Sequence, residues 1–584
     1  MTKAPPKQHH YGKIVVSSAL ERLERIAALI ESLPLRWPIL FFVILYGAVA
    51  VATAKTKLLW DDEFFTLYIS RAGSMTQILE ALATGADQHP PLFYYLTHLF
   101  TVAFGTSHLT VRLLPIFGFG MMCVCLFHLL YRRTSLLWAL LGMTLPLASS
   151  AFYYATEARG YGSELGFCAL ALLAWQRVTS SSTNRPQWLV VLFFACGLAV
   201  SSHYYAVLFI FALGLGEVAR TIQLKRIDVW TWLSLMGGVV PLLVFFGTIR
   251  RASGYSAHFW AVPIWGTLMD YYLQLFGGLA NVLVVGAVPY LVILLRSEAR
   301  EEDYRFEIRR FSTYEVVAWS SIAAIPLFTM ILAKTVTHGY IERYAISAMV
   351  GAVVLLCHFG YAVAPRPRSF ALILCTVGLL YFTAHSIWLI RISRLDVKRL
   401  SDHMAILESH TSSPFVMADI TKFHQSSFYA PRNQLQNVAY VADPQASVEY
   451  IFKDTVDRGL LDLRPWFPIN VVPRQQFVAE YHDFLVYSYL GSWTWLTYVL
   501  LPPHYRTELL DRIDANVLLS ARLIDRTPAI NGVSTRPVAD ALFNRMSKNG
   551  PSLCKQWMPH DDFCDTIEKQ RQESIEGKKA GNSK

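Results

Sequence analysis

Long apolar runs separated by short polar stretches dominate the chain between residues 38 and 390. Runs of this kind are typical of membrane helices, for which a full crossing takes about 20 residues. The pattern predicts a mainly α, polytopic membrane protein with about 11 transmembrane helices. We place them at residues 38–54, 112–131, 135–152, 161–176, 187–201, 203–219, 229–248, 277–295, 314–333, 343–362 and 369–390.

The loops between these runs differ in charge on the two sides. If the N-terminus is cytoplasmic, every inside loop carries arginine or lysine, as the positive-inside rule requires. The other polar loops then gather on the outer face, where the largest of them spans residues 55–111. Residues 38–390 are therefore predicted to form one transmembrane domain whose exceptional polar groups converge on one side. The other outer loops lie at 157–159, 203–205, 250–275 and 334–343.

The regions that flank this domain have a different pattern. In residues 1–37, apolar positions recur on one helical face between 14 and 33, which predicts an interfacial helix on the cytoplasmic leaflet. Residues 391–570 alternate strand-like and helical segments, and an odd number of crossings exports them, so we expect an extracytoplasmic α/β domain. Residues 571–584 lack apolar side chains for a core and are expected to be disordered. The strand-like segments are 414–419, 437–442, 470–472 and 484–487.

Composition supports the membrane assignment. With 54% hydrophobic and 16% charged residues the chain is not an ordinary soluble protein. The net charge of +10 does not indicate nucleic-acid binding, because the basic residues lie between apolar runs and form no stripe with interleaved aromatics. Six of the eight cysteines lie within apolar runs. Cys554 and Cys564 lie in the polar tail, and the sequence leaves open whether they form a disulfide.

Acidic side chains mark the large external loop. Asp61, Asp62 and Glu63 follow the first apolar run, and a second polar group, Asp87 and His89, precedes an amphipathic segment over residues 93–104. Carboxylates at the end of a membrane helix are costly unless they have a function. Two such groups in one loop predict an active site at the membrane edge. The structural alternatives are a solvated cluster that fixes the loop and a capped surface helix.

The order of these elements resembles the GT-C glycosyltransferases, specifically the group of protein O-mannosyltransferases and aminoarabinose (lipid A) transferases. In that group an acidic pair follows the first membrane helix, and a His-Pro-Pro-Leu or Lys-Pro-Pro-Leu element follows in the same external loop. The resemblance covers residues 38 to 390 in order and spacing. The segments that carry it are Asp62-Glu63, Asp87 to Leu92, Arg112 to Pro115, Glu157 to Tyr161, His203 to Ala206 and Glu342 to Tyr344.

Such enzymes move a sugar from a polyprenyl-phosphate carrier to an acceptor hydroxyl or phosphate, so the resemblance implies an inverting membrane hexosyl- or pentosyltransferase. The attacking hydroxyl must lose its proton, which requires a carboxylate base. The resemblance points to Asp62 as that base. Asp61 remains a rival because three adjacent carboxylates make the register ambiguous, and Glu63 either orients the base or holds a polar group.

The leaving lipid phosphate needs cationic partners, and arginine provides paired donors that stay protonated. By resemblance these are Arg159 and Arg343, although arginines at helix ends also reach for lipid headgroups without any catalytic part. Some relatives hold a metal near the carboxylates, but no dedicated ligand spacing occurs here, so a divalent metal is left open and no ligand or cofactor is assigned. Further candidates for binding substrate are His89, Asp87, Glu157, Tyr161 and His203.

The expected partners are a polyprenyl-phosphate sugar donor, a lipid, glycan or protein acceptor of the cell envelope, and membrane lipids, but not nucleic acid. The resemblance implies the cytoplasmic (inner) membrane of a bacterium, with the site and the C-terminal domain outside. The alternative is a transporter or flippase of lipid-linked sugars. Its ionisable groups should lie near the bilayer midplane and recur in two halves, which this sequence does not show. The sugar, acceptor, carrier length and oligomeric state are not indicated.

Overall fold

The structure is a computed structural model of the 584-residue chain that describes residues 9–180, 184–296, 311–489, 494–500, 505–513 and 516–524. The cysteines of the predicted tail disulfide, Cys554 and Cys564, lie outside the described residues, as does the expected disordered tail 571–584. Helices predominate within the described ranges, and the only sheet there lies in the C-terminal part.

The helices up to residue 409 form the membrane part and the loop 55–111. The loop predicted over residues 55–111 contains three helices, and the N-terminal helix predicted near residues 14–33 extends from His9 to Glu31. The helices are α1 His9–Glu31, α2 Arg36–Thr56, α3 Asp61–Ser70, α4 Met75–Ala83, α5 Pro91–Phe104, α6 His108–Tyr131, α7 Leu136–Thr144, α8 Ala151–Ala155, α9 Tyr161–Thr179, α10 Arg185–Ser202, α11 Ala206–Leu224, α12 Val229–Leu235, α13 Val239–Val244, α14 Phe246–Ala252, α15 Leu268–Arg296, α16 Thr313–Ala323, α17 Ile325–Leu332, α18 Ala348–Val363 and α19 Pro367–Ser409.

Fewer helices than predicted are long and apolar enough to cross a membrane. Among the described residues there are 6, or up to 8 if each of two bent helix pairs counts as one span, so the count of about 11 is not confirmed. Two of the predicted spans are short helices, α7 and α18, and two are the bent pairs, which turn by 61° and 54°. Helix α9 is almost wholly buried, so its sequence does not need to be uniformly apolar.

Helices α6 and α9 pack closely through glycine. A Cβ atom at Gly162 would lie 2.4 Å from the carbonyl oxygen of Pro115, and one at Gly118 would lie 2.4 Å from the carbonyl oxygen of Gly162. Small residues allow such close approach of two helix backbones. The contact matters for the site because Arg159 precedes the start of α9 by two residues, and Arg112 lies near the start of α6.

The C-terminal part is an α/β domain with a six-stranded sheet in the order β3-β2-β1-β4-β6-β5. The four strands predicted from sequence are β1 to β4, and they pair in parallel, whereas β5 and β6 were not predicted and form an antiparallel hairpin on β4. The predicted boundary at residue 391 falls inside the continuous helix α19. The elements are β1 Phe415–Met417, α20 Ile420–Tyr429, β2 Val438–Ala442, α21 Pro444–Ile451, α22 Thr455–Leu463, β3 Val471–Pro473, α23 Arg474–Glu480, β4 Asp483–Tyr489, α24 Leu496–Val499, β5 Tyr505–Ile513 and β6 Asn516–Leu523.

The strand order reverses between β1 and β4, because β2 and β3 continue on one side of β1 and β4 lies on the other. In open α/β sheets, binding groups concentrate outside the carboxyl ends of the strands at such a point. Here β1 ends at Met417, and Asp419 then caps α20 by accepting a hydrogen bond from the Lys422 amide at 3.1 Å. Helix α20 packs against α3, so this edge of the sheet faces the loop 55–111 of the membrane part.

Candidate active site

Glu63 and Arg112 form a fully buried ion pair at the base of the loop 55–111. The Arg112 guanidinium donates to both carboxylate oxygens of Glu63, at 2.7 and 2.6 Å, and to the carbonyl oxygens of Ala54, Lys57 and Leu58. Burial opposes ionisation of Glu63, but the neighbouring Arg112 outweighs it and lowers the pKa of Glu63 below its usual value. The pair joins the end of α2 to the starts of α3 and α6. Glu63 therefore positions the loop rather than exchanging protons.

Asp62 is the more accessible of the two family-type carboxylates. Its side chain is 27% exposed, and one of its oxygens accepts a hydrogen bond from the Arg343 guanidinium at 2.7 Å. The Arg343 guanidinium lies 5.6 Å from the ring centre of Trp60 and 5.8 Å from that of Tyr161. Two aromatic rings and a carboxylate thus hold this cation beside Asp62, at the solvent-accessible part of the loop.

Asp87, His89 and Arg159 form a second, buried group. The Arg159 guanidinium donates to the two Asp87 oxygens at 2.8 and 3.0 Å, and the Tyr94 hydroxyl donates to one of them at 2.5 Å. Burial would raise the pKa of Asp87, but Arg159 and His89 hold it well below its usual range. Burial and the Arg159 charge lower the pKa of His89 to about 3. Arg159 also donates to the backbone oxygen of Asp62 at 3.2 Å, which links the two groups.

Glu157 is a buried carboxylate that, unlike Glu63 and Asp87, forms no hydrogen bond with a side chain or backbone group of the described residues. Among the described residues neither of its oxygens has a hydrogen-bond partner, and the same is true of the buried Lys57 ammonium. Burial raises the pKa of Glu157 to about 7, while Lys57 and Arg343 counteract this effect. Burial lowers the pKa of Lys57, whose ammonium lies 3.5 Å from the ring centre of Tyr153. Glu157 and Lys57 therefore keep their hydrogen-bonding capacity unused, and Glu157 interacts electrostatically with both Lys57 and Arg343.

His203 lies in an aromatic cluster at the end of α10. Its ring centre is 5.0 Å from that of Tyr161 and 5.7 Å from that of Tyr205, and Tyr205 stacks on Tyr344 at 4.6 Å. The Nδ1 atom of His203 lies 3.2 Å from a carboxylate oxygen of the buried Glu164. The cluster forms an aromatic wall that continues to His89, whose ring centre lies 5.1 Å from that of His203.

Asp61 faces the C-terminal domain. One of its oxygens accepts a hydrogen bond from the Thr421 hydroxyl at 2.7 Å, and the other lies 3.5 Å from the Nδ1 atom of His424. Asp61 and Asp62 are neighbours in the chain, yet the Asp61 carboxylate contacts α20 and the Asp62 carboxylate contacts Arg343. The two candidates for the base therefore have different surroundings.

The structure places the sequence-predicted site residues around the loop 55–111, although they come from segments far apart in the chain. Within the described ranges no three histidine, cysteine, aspartate or glutamate side chains form a group that could hold a metal ion. Sequence reasoning missed Lys57 and Tyr94, because a single lysine or tyrosine near a helix end is common in any membrane protein. Tyr344 was named only as part of the segment Glu342 to Tyr344 and not as a site residue. Sequence reasoning also missed Thr421 and His424, for which no local signal exists.

Comparison with known proteins agrees with this architecture. Residues 88–249 match the family model of dolichyl-phosphate-mannose-protein mannosyltransferases, which covers less than half of the chain. No curated protein sequence matches. A crystal structure of ArnT from Cupriavidus metallidurans in the apo state is 13% identical, with a TM-score of 0.53 over 82% of this chain and 97% of ArnT. The chain has the ArnT fold.

A second ArnT structure from the same organism, bound to undecaprenyl phosphate, is also similar. Its TM-score is 0.51 at 13% identity, over 85% of this chain and 99% of ArnT. The resemblance to GT-C glycosyltransferases that the motifs predicted is thereby confirmed. The ArnT-like fold, together with the apolar helices, makes the chain a multi-pass membrane protein.

Proposed function

We propose that the protein is an inverting glycosyltransferase that moves a sugar from a polyprenyl-phosphate donor to an acceptor at the outer face of a bacterial cytoplasmic membrane. The observation that carries this proposal is the pairing of Asp62 with Arg343 at 2.7 Å in an accessible part of the loop, within an ArnT-like fold. The reaction needs a carboxylate to accept a proton and a cation to stabilise the leaving phosphate, and the two groups lie side by side there.

Asp62 is assigned as the general base. As the acceptor hydroxyl attacks the anomeric carbon of the sugar, its proton passes to the Asp62 carboxylate, and the bond from that carbon to the phosphate oxygen breaks. The bonding pair leaves with the polyprenyl phosphate, so one displacement inverts the anomeric centre. Asp62 suits this role better than Glu63, both of whose oxygens are engaged by Arg112.

Arg343 and Lys57 are assigned to the developing charge on the leaving phosphate. Arginine donors in a water-poor site stabilise such charge strongly. Arg159 is nearly neutralised by Asp87, with which it shares two hydrogen bonds, so we assign this pair to holding the Asp62 backbone and the neighbouring His89. Arg159 thus acts on the donor through Asp62 rather than by direct contact.

The sugar is assigned to the space between Glu157 and the aromatic cluster. Glu157 keeps two carboxylate oxygens without a partner among the described residues, and sugar hydroxyls are donors that would satisfy them. Tyr161, His203 and Tyr344 supply ring faces, which suit the apolar faces of a pyranose or furanose. A fully buried carboxylate without hydrogen bonds is costly, which supports a polar ligand at this position.

The test is transfer of label from polyprenyl-phosphate sugars to extracted envelope lipids, glycans and proteins. Membranes should carry equal amounts of the wild type, Asp62→Asn or Asp61→Asn. We expect transfer by the wild type, a loss of at least 100-fold in the isosteric Asp62 variant, consistent with losing a general base, and substantial activity in the Asp61 variant. Full activity in Asp62→Asn would refute the base assignment, and a wild type that transfers none of the donors would refute the transferase function.

A further inference from the structure

Helix α20 of the C-terminal domain covers the backbone of the acidic loop. The Gln425 side-chain amide donates to the carbonyl oxygen of Leu59 at 3.1 Å, and the Tyr429 hydroxyl accepts from the Leu59 amide at 3.0 Å. Tyr429 also shares a 2.6 Å hydrogen bond with the Nε2 atom of His108, at the start of α6. The segment that leads to Asp61 is therefore held by side chains almost 370 residues away in sequence.

The preceding turn of the same helix contacts the Asp61 side chain. Thr421 donates its hydroxyl to one carboxylate oxygen at 2.7 Å, and His424 lies 3.5 Å from the other. His424 is completely buried, and its two ring nitrogens have no hydrogen-bond partner among the described residues. Its ring packs against Phe64 and Phe65, with ring centres 5.4 and 5.9 Å away. The His424 ring thus lies between apolar rings and the Asp61 carboxylate.

A substrate cannot reach His424 in this position, so neither ring nitrogen can act on a reacting atom. Its effect must pass through Asp61, which precedes Asp62 by one residue at the first turn of α3. Consecutive Cα atoms are about 3.8 Å apart, so the position of one carboxylate constrains the other closely. A displacement of about 1 Å at a reacting group can cost roughly 100-fold in rate.

We propose that Thr421 and His424 are positioning residues for transfer, and that the C-terminal domain completes the active site through them. This inference rests on the proposed function. Thr421 and His424 hold the Asp61 carboxylate against α20, which fixes the first turn of α3 and aims Asp62 at Arg343 and the acceptor. Asp61 is then a structural link and not the base. The carboxyl edge of the sheet, from which α20 begins, serves the membrane part instead of a separate ligand.

The experiment compares Thr421→Val, Thr421→Ser and His424→Phe in the full-length protein, reconstituted with a labelled polyprenyl-phosphate sugar. Valine keeps the shape of threonine without the hydroxyl, serine keeps the hydroxyl, and phenylalanine keeps the ring packing without nitrogen. We expect kcat to fall about tenfold in Thr421→Val and His424→Phe, which corresponds to about 1.4 kcal/mol, with the donor KM unchanged. Thr421→Ser should restore most of kcat.

The matched control is Ser447→Ala, which removes a hydroxyl hydrogen bond of 2.6 Å to the Lys453 carbonyl inside the same domain, away from α20. It should leave kcat unchanged even if the melting temperature falls. Unchanged kcat in both Thr421→Val and His424→Phe would overturn the positioning role while leaving the transferase function intact. The positioning role would also be overturned if Thr421→Ser lost as much kcat as Thr421→Val. It would likewise be overturned if Asp61→Asn lost as much activity as Asp62→Asn. A wild type without transfer would overturn both proposals.

Discussion

Glu63 and Arg112 stand 49 residues apart in sequence and share two hydrogen bonds inside the protein, with neither side chain exposed. The Glu63 carboxylate also accepts from the Ala158 amide at 2.7 Å. The Glu63–Arg112 pair therefore connects α2, α3, α6 and the loop that carries Glu157 and Arg159. The acidic motif has two parts with different physical tasks, since Glu63 holds the loop together and Asp62 is exposed beside Arg343.

Glu63→Gln should destabilise the protein strongly. Breaking a buried ion pair on one side leaves the partner charge uncompensated and costs about 3–5 kcal/mol. Because Arg112 lowers the pKa of Glu63, its stabilising effect is complete near neutral pH and is lost as the pH falls through the acidic range. Thermal unfolding in detergent measures the effect. The control is Glu21→Gln, which removes an exposed partner of Arg25 and should not move the melting temperature.

Asp87 and Asp62 should respond differently to the same isosteric change. Asp87→Asn leaves the buried Arg159 without its charge partner, so we expect a lower melting temperature together with lower activity. Asp62→Asn removes a carboxylate that is 27% exposed, so activity should be lost while the melting temperature stays near that of the wild type. A large fall in melting temperature for Asp62→Asn would mean that this residue is structural.

Donor binding should weaken as the pH rises through about 7, the pKa to which burial raises Glu157. The charged groups that face Glu157 are Lys57, Arg343, Glu63 and Asp62. Below this pH Glu157 is neutral and leaves the two cations free to attract a phosphate, whereas above it the carboxylate repels the phosphate. Repulsion by one like charge whose field is partly screened typically costs about 1 kcal/mol of binding free energy, which raises the Kd of the donor roughly fivefold.

The measurement is equilibrium binding of a polyprenyl-phosphate sugar at pH 6 and pH 8 without acceptor. A phosphodiester is required because the second ionisation of a phosphomonoester, near pH 6, would interfere. Glu157→Gln removes this titration, so the change in Kd between the two pH values should shrink to the part caused by the Lys57 ammonium, whose pKa burial lowers to about 8. If this variant keeps the pH dependence of the wild type, Glu157 is not its source.

The succession of motifs along the chain was enough to predict the fold class, and it named Asp62, Asp87, Arg159 and Arg343 as candidate site residues, which the structure brings together around one loop. Each of these residues belongs to a short segment whose order along the chain is informative. The number of spans was less predictable, because helices such as α9 are buried by other helices and not by lipid. The contact between Thr421 and Asp61 joins residues 360 positions apart, and no periodicity or composition encodes such a pairing. The partners of the acidic loop therefore needed the three-dimensional arrangement.

Lys57 should tune the pH dependence that Glu157 causes. It is the charged neighbour that most favours ionisation of Glu157, so Lys57→Met should raise the pKa of Glu157 further and move the binding transition to higher pH. The loss of one cation should also weaken donor binding at every pH, by a factor consistent with about 1 kcal/mol. Lys55→Met is the matched control, because Lys55 is exposed at the end of α2 and should leave both quantities unchanged.

A double-mutant cycle separates the two effects of Lys57 on donor binding. In the Glu157→Gln background, Lys57→Met should still reduce affinity and should leave no pH dependence, because both groups that titrate in this range, Glu157 and Lys57, are gone. If the double variant keeps the pH dependence of the wild type, another group titrates. If Lys57→Met leaves both affinity and pH dependence unchanged in an otherwise wild-type protein, the Lys57 ammonium does not face the donor phosphate, and Arg343 alone provides its cationic partner.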